Sequence, residues 1–249
     1  MTRAEFLARI RGEVARARPL FTAAPSERPA RAAERLELLR RELRERWPGT
    51  LERFRRELER VGGVFHRVRS LDEVPDTVAA LARTQGMRRV VTWHADALGG
   101  DLCGALATRG LEPLVMPSVT PDAAGRARLR DTIAAAELGL TAADLAVAET
   151  GSLVLVSGAG RPRSTSLLPA CHVALFDREA LVESLTQVGL VLEAWHEGAE
   201  PRSRGAVINV ITGPSRTADI ELTLTRGVHG PKDVHAVFVE AGLGAPDRV

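Results

Sequence analysis

Apolar positions fall into two textures along the chain. Phe6, Ile10 and Val14 recur every four residues and predict a helix near residues 3–17 with one apolar stripe, stopped by Pro19. FTAAPSERPA, carrying Pro25 and Pro29, reads as an exposed linker. Leu36, Leu39, Leu43 and Trp47 then share one face of a second helix, which Pro48-Gly49 is expected to break. Leu51, Phe54, Leu58 and Val61 restart the pattern at spacings of three and four. Residues 1–61 therefore predict an amino-terminal arm of amphipathic helices, whose stripes more often join a core than meet a partner.

From Gly62 onward short β-branched runs alternate with helical stretches. GGVFHRV, RRVVTWH and LEPLVMP read as strands, with helical patterns at 76–85, 98–109 and 122–138 between or after them. DLAVAETGSLVLVSG holds two short strands with Gly151 at their turn, and CHVALF is a buried strand followed by a helix from about Arg178 to Glu197. AVINVITG and DVHAVFVE supply two more strands. Strand and helix in alternation imply right-handed crossovers. The predicted fold class is α/β, an open and mostly parallel sheet flanked by helices over residues 62–249, behind the arm of 1–61. Ligands of such sheets bind outside the carboxyl ends of the strands, which directs attention to the loops after Trp93, Val156, Phe176 and Ile211.

Composition narrows the function classes. At 45% apolar and 27% charged, the 249 residues describe an ordinary globular chain rather than a disordered one. Two cysteines, Cys103 and Cys171, are too few for the four thiolates an iron–sulfur cluster ordinarily takes, and neither belongs to a CxxC pair. No HExxH or Cys/His zinc pattern is present, so no metal site is expected. No apolar run approaches the roughly 20 residues of a membrane span, and the opening residues lack the apolar core of a secretory signal, so the expected location is cytoplasmic.

Charge changes the picture only locally. Residues 1–60 hold 16 Arg and 10 Glu of the 34 basic and 32 acidic residues in the chain. In RLELLRRELRERW and LERFRRELER the two signs alternate, which favours ion pairs along a solvated helix face over nucleic-acid binding.

Two stretches carry candidate chemistry. In residues 148–176, Glu149, Thr150, Gly151 and Ser152 place a carboxylate and two hydroxyls at a strand junction. The following SGAGRPRSTS, with Gly158, Arg163, Ser164 and Thr165, combines glycine turns, hydroxyls and guanidinium forks. That composition suits a phosphate or carboxylate, and equally a mobile polar loop. In residues 211–235, Ser215, Arg216, Thr217 and Asp219 crowd polar groups after a strand. They could present an anion site, although Arg216 bracing Asp219 or Glu221 fits the spacing slightly better. His229 lies in a turn, His94 and Asp96 follow a strand at its carboxyl end, and His172 reads as a core residue.

At these residues the chain resembles the LUD-domain family, in its lactate-utilization branch. The resemblance rests on GLTAADLAVAETGSLVLVSGAGRPRSTSLLPACHVALF and TGPSRTADIELTLTRGVHGPKDVHAVFV, which match in order and spacing. It implies a fold similar to ribose-5-phosphate isomerase and the CoA-transferases, and a part in the bacterial oxidation of L-lactate to pyruvate. The iron–sulfur clusters of that system are then expected on partner proteins, with no cofactor in this chain. CoA-transferases of that fold use a glutamate nucleophile, but only the carboxylate of Glu149 corresponds, so that role is not carried over. The site expectation is one cleft joining Glu149, Arg163, Ser164, Thr165, Ser215, Arg216 and Asp219 around a small carboxylate or phosphate-bearing ligand. Arg163 and Arg216 would clamp the anion, and Glu149 or His229 would transfer a proton. A stand-alone transferase or isomerase is the alternative; oligomeric state, a homo-oligomer included, stays open.

Overall fold

Helix α1 (Arg3–Arg16) carries Phe6 and Leu7 exposed, so this part of the first predicted stripe faces outward. The computed structural model describes residues 2–16, 31–119, 121–195, 207–220 and 223–244; the linker around Pro25 and Pro29 lies outside them. Helix α2 (Ala32–Arg60) runs through Pro48 without the expected break. An interior proline removes one helix hydrogen bond and costs about 3 kcal/mol. Packing on both sides of it offsets that cost. Trp47 stacks on Phe238 with ring centroids 5.7 Å apart, and Leu43, Leu51, Phe54 and Leu58 are buried. The boundary expected at residue 61 therefore follows a helix whose Leu51, Phe54 and Leu58 already belong to the main core. The outer face of α2 carries the ion pairs its sequence suggests, Arg40–Glu37, Arg46–Glu42, Arg55–Glu52 and Arg60–Glu57.

The chain then runs through β1 (Val64–Val68), α3 (Val74–Gln85), β2 (Arg89–Thr92), α4 (Ala95–Leu98), α5 (Cys103–Ala107), β3 (Glu112–Val115), α6 (Ala123–Ala135) and β4 (Leu138–Ala142). It continues with β5 (Leu145–Val147), β6 (Ser152–Val156), α7 (Ser164–Leu167), β7 (Cys171–Phe176), β8 (Leu181–Val182) and α8 (Leu185–Trp195). The last elements are β9 (Ile208–Ile211), β10 (Arg216–Ile220), β11 (Thr223–Arg226) and β12 (Asp233–Val239). Two predicted helices differ. The 98–109 pattern splits into α4 and α5, because Gly99 leaves the helix at φ +83°. The pattern beginning at Arg178 opens instead as a 3₁₀ turn and then β8, whose Leu181 pairs with Ala146 of β5 before α8 starts. His196 lies outside the described residues.

Six strands form a wholly parallel sheet in the order β1-β12-β7-β4-β2-β3. Its central strands β4 and β7 are buried throughout, as crossover helices on both faces require. The single sheet read from the sequence is nonetheless divided. A second sheet, β8-β5-β6-β9, and a β10–β11 hairpin stand apart from it. The division follows from local chemistry after β4. Asp144 accepts the Val156 amide at 2.8 Å and donates its own N–H to the Val154 carbonyl, and Gly151 turns the chain at φ +64°. Residues 145–156 thereby pair antiparallel with each other rather than join β4.

The connection after β2 leads outward to β3, whereas the chain after β4 works toward β7 on the other side. The carboxyl ends of β2 and β4 thus flank the point where connections diverge, the place where open α/β sheets form a crevice. Among the described residues no helix is long and apolar enough to cross a membrane.

Candidate functional site

The two sequence-predicted polar segments meet at their edges. Thr150 Oγ1 lies 2.7 Å from Ser152 Oγ, which lies 2.7 Å from Thr212 Oγ1, so a chain of hydroxyls joins the β5–β6 turn to the loop before Ser215. The space beyond that contact is filled by the end of α2. A Cβ on Gly151 would collide with the backbone of Glu57 and Leu58, and one on Gly213 would stand 2.7 Å from the Val61 carbonyl oxygen. The Arg216 guanidinium donates to that same carbonyl, at the residue that caps α2. A cation there satisfies a terminal acceptor and suits the negative end of the helix. Arg216 is a brace onto a helix end; the Asp219 side chain and Glu221, which spacing suggested as its partners, lie outside the described residues.

The neighbouring candidates are also engaged structurally. Ser215 Oγ accepts the His229 amide at 3.2 Å, while Ser215 N donates to Pro231 and its carbonyl accepts from Gly227. Ser215 therefore clasps the 227–231 turn, and His229 is exposed on it. Thr217 pairs with Thr225 across the β10–β11 hairpin, and Asp219 lies on β10. Exposed Glu149 accepts the Leu185 amide at 3.1 Å and so caps α8.

SGAGRPRSTS belongs to a different place. Gly158 and Arg161 exchange two backbone hydrogen bonds of 3.1 and 3.0 Å around Ala159 and Gly160, with Gly160 at φ +70°. The Gly160 carbonyl accepts from His94 N at 2.9 Å, and a Cβ at Gly160 would sit 2.8 Å from the His94 Cβ. Pro162 O accepts the Trp93 indole N–H at 3.2 Å, and the Arg161 guanidinium lies 5.7 Å from the Trp93 ring centroid. Arg161 also donates to Asp144 at 3.0 Å, a carboxylate only 2% exposed. These bonds pin the turn against the carboxyl end of β2. Arg163 is exposed at the start of α7, Ser164 opens that helix, and Thr165 is buried with its carbonyl against Gly139 of β4.

Beside this turn lies a cavity of about 590 Å³. Gly158, Ala159, Gly160, Pro162 and Ser164 form one wall, and Arg126, Leu129, Arg130 and Ile133 of α6 form the other. Met116 and Pro117, which follow β3, lie between them. Asp122 starts α6 by accepting the Gly125 amide at 2.7 Å, and Ile133 and Leu129 pack with Val91 and Met116 to hold the helix on the sheet. Arg126 and Arg130, four residues apart, are thereby carried to the cavity. Arg126 donates to Pro121 O at 2.9 Å; among the described residues neither guanidinium meets a carboxylate. Residues 149–152, 163 and 215–217 do not line this space, so Arg163 and Arg216 do not clamp one ligand there; the Asp219 side chain lies outside what is described. Of the predicted site residues, Gly158 and Ser164 do line it.

Sequence reading missed Arg126 and Arg130. The usable signal was an Arg-x-x-x-Arg spacing on the helix after the LEPLVMP strand, at the edge already identified as productive.

Other titratable groups sit within the fold. Burial lowers His172 to about 3 and His235 to about 4; His66 is lowered by the same cause. His66 Nε2 and His235 Nδ1 are 3.0 Å apart across adjacent strands, and His172 Nε2 lies 2.8 Å from Thr141 Oγ1. Burial also pushes the Cys171 thiol up to about 12 and raises that of Cys103, which disfavours a nucleophilic thiolate at either. Among the described residues no cluster of three or more His, Cys, Asp or Glu could hold a metal ion.

Comparison with known proteins gives the following. The family model for the LUD domain matches residues 51–239. Lactate utilization protein C of Halalkalibacterium halodurans is 41% identical over 113 residues, 45% of this chain and 48% of that protein. The protein of the same name from Macrococcus caseolyticus is 32% identical over 169 residues, covering 68% of this chain and 69% of its own length. That from a Geobacillus species is 34% identical over 171 residues, with 67% and 68% covered. The matched span is thus about half the length of the first relative and about two thirds of the others. A crystal structure of a DUF162-family protein from Deinococcus radiodurans superposes with a TM-score of 0.48 at 21% identity, over 77% of this chain and 97% of that one.

Proposed function

Because the chain belongs to the LUD-domain family, we propose that it is a component of bacterial L-lactate utilization that holds an organic anion between α6 and the Gly158–Ser164 segment. The names of its relatives support the lactate role. The carrying observation is the pair Arg126 and Arg130, two guanidinium groups facing an apolar cavity beyond the carboxyl end of β3, without a carboxylate partner among the described residues. Such forks bind carboxylate or phosphate oxygens bidentately, and the low-dielectric wall beside them strengthens the attraction.

Oxidising L-lactate to pyruvate releases two electrons and two protons, so an electron acceptor must take part. Iron–sulfur partner proteins fill that role in this reading, since two cysteines leave this chain short of ordinary cluster ligands. Its own residues bind and orient the anion: Arg126 and Arg130 neutralise charge, and Ser164 adds a hydroxyl. A stand-alone transferase built on Glu149 finds less support, because that carboxylate caps α8 and lies outside the cavity.

The test is growth. A strain lacking the chromosomal copy is complemented with the Arg126→Ala/Arg130→Ala variant and grown on L-lactate or glucose. The expected result is loss of growth on lactate alone, with the variant present at normal abundance. Normal growth on lactate would separate the anion site from lactate utilization, and failure of the tagged wild-type protein to co-purify with iron–sulfur proteins would remove the partner reading.

A further inference from the structure

We infer that the natural occupant of the α6 cavity is an amphipathic organic anion with an apolar body much larger than L-lactate, a ligand class that rests on the cavity assignment above. Size is the first argument. The cavity measures about 590 Å³. Granting each of the roughly six non-hydrogen atoms of lactate a whole water's share of about 30 Å³, lactate fills about 180 Å³. Most of this half-open space would then hold water rather than ligand. Pockets of the observed size instead suit molecules of cofactor or drug dimensions, about 300–1,000 Å³.

Lining chemistry is the second argument. Met116, Pro117, Val119, Leu129, Ile133 and Pro162 present apolar surface. A hydroxyacid hydrated on every side gains nothing by covering them, whereas a hydrocarbon or ring system removes them from water. Arg126 and Arg130 sit one helical turn apart, so their forks can converge on one head group. A phosphate monoester or a comparably compact dianion supplies enough oxygens for both. The Ala159 and Gly160 amides form no hydrogen bond among the described residues, and Gly160 at φ +70° brings bare main chain to the wall facing the arginines. The head group is thereby assigned to the α6 arginines and the glycine turn, and the body to the apolar floor.

Isothermal titration calorimetry on the full chain tests this with 1-naphthyl phosphate, and with inorganic phosphate, L-lactate and 1-naphthol as comparators. The expected result is one-to-one binding of the ester at least tenfold tighter than any comparator. Arg126→Ala and Arg130→Ala should each weaken the ester tenfold or more while leaving the circular dichroism spectrum and melting temperature unchanged. Three results would overturn the inference: lactate or phosphate binding as tightly as the ester, ester binding unaltered in the double variant, or no ester binding. Because the growth assay reads the lactate role separately, lost growth in the arginine variant without ester binding would sink the ligand class alone. Ester binding with undiminished growth would sink the lactate role alone.

Discussion

At the amino-terminal edge of the six-stranded sheet, Arg216 donates to the Val61 carbonyl, Gly213 lies against the same residue, and Glu137 gathers the amides of Arg88 and Arg89 at 2.8 and 2.9 Å. At the carboxyl-terminal edge, Arg126 and Arg130 face a cavity whose opposite wall is a glycine turn. The two edges draw on similar residue types: arginine, glycine, serine and threonine. What separates them is where the acceptor sits: Arg216 meets the carbonyl end of the long helix α2, whereas Arg126 meets only the Pro121 carbonyl of its own loop and Arg130 has no partner among the described residues. A guanidinium whose charge is met by a helix end is part of the scaffold; one held beside apolar surface without a carboxylate has binding capacity left over.

Variants can break this contrast. The largest expected effect is at Asp144, which ties the glycine turn to β6 through Arg161 and the Val156 amide. Asp144→Ala leaves both donors unmet and should cost about 3–4 kcal/mol in urea unfolding, because removing one partner of a buried pair strands the other. A loss under about 1 kcal/mol would mean the turn is not held by that carboxylate. Gly151→Ala comes next, at about 3 kcal/mol, from the left-handed conformation together with the collision against α2. If it is tolerated, the end of α2 does not fill the space between the hydroxyl chain and the Ser215 loop.

Arg216→Ala should cost about 0.5–1.5 kcal/mol by removing the hydrogen bond to the Val61 carbonyl, whereas Arg126→Ala/Arg130→Ala should stay within about 0.5 kcal/mol of wild type. Equal losses in the two would erase the distinction between edges. The smallest effect concerns acid. The Arg88 and Arg89 amides hold the Glu137 carboxyl down to about 2, below its unfolded value near 4.3. Its contribution is present above the unfolded value and lost as pH falls toward 2. Glu137→Gln should therefore lower the melting temperature at pH 6 and match wild type near pH 2; a pH-independent gap would assign Glu137 a packing role instead.

The strands GGVFHRV, RRVVTWH, LEPLVMP, CHVALF and DVHAVFVE were legible because buried parallel strands read as β-branched runs between turns. The unbroken course of α2 was not, since Pro48 carries a local penalty that only the contacts of Trp47, Leu51 and Phe54 offset. The candidate site was legible in part. Gly158 and Ser164 line the cavity, while the clamp drawn between Arg163 and Arg216 joins groups that do not share it. Composition located polar segments, but it could not say which cation would find an acceptor within the protein.

The sequence by itself determined the alternation of strands and helices, and thus a parallel sheet whose carboxyl ends gather loops, because burial imposes those periodicities residue by residue. Its two long blocks also determined the family. Only the tertiary structure decided which arginines brace and which face open space. A side chain's free hydrogen-bonding capacity depends on neighbours distant in the chain, such as Val61 for Arg216 and the glycine turn opposite Arg130, and no local spacing encodes that proximity.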